Sequence, residues 1–245
     1  MSKTLANLRE NTRTYLDEAT ATDFTATEVD FEINYAYHQI FTAIIEVYEE
    51  YYTTSTTFNI VANQQEYDTG DGLPTDLFKI RRVEVTLSSA SNASPQRALP
   101  VSFDDVSRDL GNTSLGTYTT SSPAYYFYGD GTNAKLGFVP VPAESVTNGC
   151  KLWYVKIVSD LSSASDTVEI PYADRFAWLI PLRAAATLLR KGQQEESAAN
   201  NYINQFHVEL ERMKQTLEDR VADDAKHVID STRETTDFGD MAINY

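Results

Sequence analysis

The sequence predicts an α+β fold: a helical bundle of about four helices, an inserted antiparallel β-domain and an extended C-terminal tail. Three observations carry this reading. Residues 25–52 repeat apolar side chains at the 3.6-residue period of a helix. Residues 57–170 change to short alternating runs separated by turn residues. From 171 the helical period returns, and beyond 221 it lapses. The predicted organisation is therefore 1–56 as the first helices, 57–170 as the inserted β-domain, 171–221 as the helices that complete the helical domain, and 222–245 as the tail.

Residues 4–18 read as a short amphipathic helix with Leu5, Leu8, Tyr15 and Leu16 near one face. The stretch TDFTATEVDFEINYAY then opens a long helix reaching about Tyr52. Thr25 and Glu28 have capping-box spacing, in which the hydroxyl accepts a backbone N–H and the carboxylate reaches back to the cap. Phe24 and Val29 flank them as a hydrophobic staple, and Asp23 and Glu28 suit the positive helix end. Val29, Ile33, Ala36, Tyr37, Ile40, Ile44, Val47, Tyr48 and Tyr51 fall on one face. Glu28, Glu32, Glu46, Glu49 and Glu50 lie mostly opposite. Residues 25–52 hold six acids and no Lys or Arg, so no salt bridge forms within this helix and packing must hold it. Phe31 and Tyr35 fall on the acidic side, where large side chains need cover from elsewhere in the chain or from a partner.

In the β-region, TTFNIVANQQEYDT alternates and DGLP turns. DLFKIRRVEVTLS is the strongest strand, and its Lys79, Arg81 and Arg82 read as a solvated strand edge rather than a binding patch. SSASNASPQ is a polar loop, and LPVSFDDVSRDL starts extended and ends in a helical turn. SPAYYFYGDGTNAKLGFVPVP is a hairpin, CKLWYVKIVSDL a further strand, and DTVEIP leads out, making about six strands. PYADRFAWLIPLRAAATLLRKG returns to helix, with Pro171 near its start, Gly192 past its end and a kink expected at Pro181. Residues 194–221 form another helix, carried by Tyr202, Phe206, Leu210, Met213 and Leu217. The tail has net charge −4 and ends in Phe238, Met241, Ile243 and Tyr245, spaced so that an extended peptide could dock them.

Net charge is −16 and pI about 4.5, which disfavours gripping phosphates, since affinity for DNA comes mostly from Lys and Arg. Cys150 is the single cysteine, so no intrachain disulfide forms. The N-terminus has no apolar signal core, and no stretch approaches the ~18 apolar residues of a membrane span, so a soluble chain is expected. His38, His207 and His227 belong to no HExxH or zinc pattern, and GNTSLG misses the spacing of GxSxG. YDTGDG and GDGTN read as tight turns rather than calcium loops. No acid pair stands out among 36 candidates. No cofactor, metal site or enzymatic activity is predicted.

The early LRENTRTYLDE, then TDFTATEVDFEINYAYHQI, then EEYYTTSTTFNIVANQQEYDTGDGLPTDLFKIRRVEV resemble the adaptor proteins of short-tailed phages, which join the portal to the tail. The shared pieces are the F-T-x-x-E-V-D helix start, the following I-N-x-A-Y, the L-P-x-D turn and the I-x-R-V-x-V strand. The motifs cover about the first 90 residues, and the rest matches in layout. The Gly-rich insert in YDTGDGLPTDLFKI departs from the pattern and lengthens one turn.

That resemblance implies a ring of identical subunits, commonly twelve, beneath the portal, whose helices surround a channel for double-stranded DNA that passes without specific binding. Partners would be other copies of the chain, the portal protein and a tail or nozzle protein. The location would be the neck of the virion, assembled in the host cytoplasm, with no membrane. Twelve copies at −16 sum to roughly −192 formal charges before screening, a lumen to which DNA would not adhere. Phe31 and Tyr35 become subunit-interface residues. The five glutamates become a face toward lumen or solvent, and the C-terminal segment a docking arm for a neighbouring ring. Two other readings stay open: a tail-completion or tail-tube component meeting the tail alone, and a virion-carried cell-wall hydrolase.

Overall fold

The computed structural model describes residues 3–18, 23–90, 93–109, 118–192 and 196–229, with side chains as far as 219 except at 107–109. The chain mixes helices with one seven-stranded sheet and divides into two compact units. A helical unit takes Met1–Tyr51 and Asp160–Tyr245, and a sheet unit takes Tyr52–Ser159.

In the helical unit, α1 (Leu5–Tyr15) starts at a capping box between Thr4 and Asn7 and buries Leu5 and Leu8. Helix α2 (Ala26–Val47) buries Val29, Ile33, Ala36, Tyr37, Ile40 and Ile44, the face expected from the period, together with Phe41 and Ala43. It stops five residues short of the expected end. Tyr48 leaves the helical region (φ −139°, ψ 72°), and Glu49–Tyr52 form a separate 3-10 turn. The β-prone run TTSTTFNI follows at once, so the backbone must leave the helix there to enter a strand.

Pro181 does not kink a long helix. The chain makes α4 (Ala173–Phe176), breaks, and starts again as α5 (Leu179–Lys191), with Pro181 third in the new helix. There its missing N–H has no intrahelical acceptor to lose. Leu179, Ile180, Leu182, Ala184, Ala185, Ala186, Leu188 and Leu189 are all buried, because α5 contacts α1, α2 and α6. Helix α6 (Glu196–Ile229) buries Phe206, Met213 and Leu217. It continues eight residues past 221, where the tail was expected to begin. The run ADDAKHVI contains no Gly or Pro and interrupts nothing. The remaining tail, with Phe238, Met241, Ile243 and Tyr245, lies outside the described residues.

Residues 160–170, assigned by sequence to the sheet, instead bond to the helices. Asn34 grips both backbone groups of Leu161, donating to its carbonyl at 3.1 Å and accepting from its N–H at 2.8 Å. The Glu169 N–H donates to the Tyr37 hydroxyl at 2.8 Å, and Leu5 and Ala6 donate to the carbonyls of Asp166 and Ala164.

The sheet unit contains β1 (Thr53–Ile60), β2 (Glu66–Tyr67), β3 (Leu77–Val85), β4 (Gln96–Pro100), α3 (Phe103–Asp109), β5 (Ala124–Tyr128), β6 (Lys135–Val139) and β7 (Val146–Lys156). The sheet order is β1-β7-β3-β4-β5-β6-β2. Every neighbouring pair is antiparallel except β4 and β5, which run parallel, a departure from the wholly antiparallel domain expected. Residues 101–123, including α3, supply the long connection that a parallel pair requires. The seventh strand is β2, two residues beside β6. β1 and β7, which bring the chain in and take it out, pair with each other from Thr53 opposite Val155.

Phe58, Tyr67, Val83, Leu136, Phe138, Cys150 and Leu152 form the sheet unit's core. The Gly-rich insert folds as a 3-10 turn, Thr69–Asp71, capped by Asp68 and closed by Gly72 at φ +107°. A Cβ on Gly72 would also meet that of Phe58 at 3.0 Å. GDGTN makes a second 3-10 turn, Gly131–Asn133.

Candidate functional site

The α2 start is built as its sequence indicates. Glu28 N–H donates to Thr25 Oγ1 at 3.3 Å, and Thr25 N–H donates to Glu28 Oε2 at 3.0 Å. Phe24 and Val29 are both buried, closing the staple. From this fixed start, the first exposed turns of the helix carry Phe31, 67% exposed, and Tyr35, 48% exposed. One helical turn separates them, so they share a surface. No described part of the chain covers most of Phe31.

The acids of α2 are answered by cations from other helices. Lys191, at the end of α5, reaches Glu28 Oε1 at 2.7 Å. That bond, with those from Thr25, holds the Glu28 carboxyl down at about 2. Asp30 takes a forked grip from Arg9 of α1, at 2.5 and 2.7 Å. Lys214 of α6 reaches Glu46 at 2.9 Å. Glu32 is half-buried, and burial pushes its carboxyl up while Arg183 and Lys191 pull it down. Glu49 and Glu50 stand in the 3-10 turn beyond the helix, so they do not continue its acidic stripe.

Arg183 is the cation that sequence reading overlooked. It donates to Gln39 at 3.0 Å, bonds Thr187, and lies 5.9 Å from the Tyr35 ring and 6.0 Å from that of Phe206. An open groove of about 340 Å³ runs beside it, lined by Gln39, Thr42, Glu46, Arg183, His207 and Lys214. The available signal was the complement of the acidic stripe, in Arg183 and Lys191 on α5 and Lys214 on α6. That signal depends on knowing which helices pack together.

Charge is divided unevenly. The sheet unit holds ten acids and eight bases and the helical unit 26 and 12, so −14 of the total −16 falls on the helices. His38 does no visible chemistry beyond pairing with Asp160 at 2.6 Å. Cys150 is fully buried, which pushes its thiol up and away from the reactive thiolate. Among the described residues, no three of His, Cys, Asp and Glu converge as a metal site, and no helix is long and apolar enough to cross a membrane.

A helix with a locked start, a buried face and large exposed aromatics, joined to a sheet unit, has the make-up of a protein that works by contact with other proteins. The family is specific: the chain belongs to the SU10 adaptor protein family, whose model matches residues 3–228. It is therefore a phage adaptor, a structural class, and the match extends the likeness from the first 90 residues to nearly the whole chain. No curated protein matches it.

Proposed function

We propose that the chain is a neck protein of a short-tailed phage. Twelve copies form a ring between portal and tail and continue the channel through which the genome is retained and ejected. The observation that carries this reading is the exposure of Phe31 and Tyr35, two large aromatics on a helix that buries its apolar face, in a chain matched to phage adaptors from residue 3 to 228. In a ring each subunit presents two different faces to its neighbours, and the aromatic pair supplies part of one. The formal charge of the helical unit suits a wall that DNA passes without adhering. Glu28 and Glu46 serve that wall less than the unpaired count suggests, since lysines of the same subunit answer them. Phe238, Met241, Ile243 and Tyr245 are assigned to docking on the adjoining ring.

Negative-stain microscopy of the purified chain, alone and mixed with purified portal protein, tests this. Ring-shaped particles, free or seated on portals, are the expected result. A strictly monomeric chain that never binds a portal overturns it. Pull-downs against portal and tail proteins separately identify which partners it meets.

A further inference from the structure

The sheet is short at one edge and open at the other. One edge is β2, a strand of only two residues. The other is β1, eight residues of sequence TTSTTFNI. The β3 run with Lys79, Arg81 and Arg82 is not the edge that the sequence suggested, because β3 lies between β7 and β4. Edge strands of soluble proteins are kept from pairing by charges, proline, shortness or cover. β1 has no charged residue and no proline, and none of residues 53–57 is buried. In an antiparallel pair, alternate residues bond the neighbouring strand and the others point their N–H and C=O groups away. β7 takes the first set. Among the described residues, no other backbone group bonds β1. The core-facing side is unfinished as well. Thr54 and Thr56 lie opposite Tyr154 and Leu152, both in the sheet unit's core, yet both threonines are only half-buried.

An edge of this kind takes an extended segment as an added strand, held by backbone bonds and selected by alternate side chains. One segment outside the described residues has that make-up. Residues 238–245, FGDMAINY, match β1 in length, contain one charged residue and no proline, and put Met241, Ile243 and Tyr245 on one side at strand period. The polar run DSTRETTD joins them to the end of α6 at Ile229, and its eight residues span up to ~28 Å when extended. We propose that residues 238–245 of one copy pair along β1 of a neighbouring copy, with Met241, Ile243 and Tyr245 laid over the open flank of Thr54 and Thr56. This rests on the ring reading, and it gives the tail a berth within its own ring until the adjoining ring arrives. Each copy gives one strand and receives one, so the contact is heterologous and runs on around a ring instead of closing a pair. It needs no match of charge, since the affinity lies in the backbone bonds and the choice of segment in the apolar alternation.

Amide hydrogen exchange on the full-length chain tests it. In assembled material, the β1 amides that point away from β7 should exchange slowly, and dilution to monomer should release them. Met241→Asp/Ile243→Asp should speed those amides at least ~10-fold, while the amides bonded to β7 stay as they are. An excess of the free peptide FGDMAINY should restore their protection in that variant. Assembled rings whose outward β1 amides exchange as fast as in the monomer overturn the docking and leave the ring reading standing, as does protection that survives the double substitution. Protection that persists in the dilute monomer assigns the added strand to the chain's own tail and overturns the exchange between copies. A chain that never assembles removes both the ring and this contact.

Discussion

Lys191 and Glu28 meet at 2.7 Å, joining the end of α5 to the start of α2 through a carboxylate whose other oxygen already caps the helix. One residue thus serves a local and a tertiary purpose. The pairing makes a pH prediction. Glu28 is held down at about 2, below the ordinary carboxylate value near 4.5. A depressed folded value means that the contribution is complete above the unfolded value and is lost as pH falls toward the folded one. Glu28→Gln should therefore be less stable than the parent at pH 6, and the gap should shrink steadily from pH 4.5 to 2. Thermal melts across that range check it, and a gap that stays constant with pH would contradict it.

Removing the cap alone is a separate measurement. Thr25→Ala deletes the acceptor for the Glu28 N–H and should cost about 1 kcal/mol in urea unfolding. Hydrogen exchange should rise first in the opening turn of α2, leaving the sheet unit's protection unchanged.

That cap also shows what was legible in the sequence. The Thr25 box, the Phe24–Val29 staple and the buried face of α2 depend on neighbours within five residues, and each appears as written. The Lys191–Glu28 and Lys214–Glu46 pairs join residues 163 and 168 positions apart, so no local pattern marks them. The acidic stripe looked unanswered for that reason. The sheet shows the same division. The β5–β6 hairpin was readable from its turn, whereas the parallel β4–β5 pairing and the two-residue β2 exist only through tertiary contact. Phe31 and Tyr35 were readable as outward-facing because helical period alone decides it. What, if anything, covers them is not written in the period of the helix.

Asn34 pins the chain on its return from the sheet unit. Its amide makes two bonds to the Leu161 backbone, as a strand neighbour would. Asn34→Ala leaves both backbone groups without that partner and should cost ~1–3 kcal/mol. Exchange should speed up at the Leu161 N–H more than at helix-core amides. Asn34→Asp should fare better than Ala at Leu161, since one acceptor remains.

Gly137 on β6 faces Tyr126 on β5 in direct register. A Cβ there would lie 2.1 Å from Tyr126 Cζ and 2.5 Å from Oη. The ring cannot easily move aside, because its hydroxyl donates to Glu66 at 3.0 Å and the side chain is buried. Gly137→Ala should destabilise the sheet unit by ~1–3 kcal/mol through overpacking. Adding Tyr126→Ala should cost less than the two single changes together, since the clash is gone. Strict additivity in chemical denaturation would rule out the clash as the cause.

The aromatic pair on α2 separates folding from assembly. Phe31 and Tyr35 are largely exposed, so Phe31→Ser/Tyr35→Ser removes little intramolecular packing. Most of its folding cost should come from the Arg183 contact at 5.9 Å from the Tyr35 ring, on the order of 0.5–1 kcal/mol. Self-association should suffer far more, because buried aromatics at an interface centre commonly contribute ~2 kcal/mol or more each. Light scattering coupled to size exclusion should show the assembled species shifting to monomer, while the melting temperature moves by only a few degrees. Phe31→Ser alone should reproduce most of the assembly defect with almost no change in stability, since Phe31 lacks the Arg183 contact that ties Tyr35 to its own subunit. Equal losses of stability and assembly would instead mean that the pair supports the helical unit itself, and the α2 face would no longer be the place to look for a neighbour.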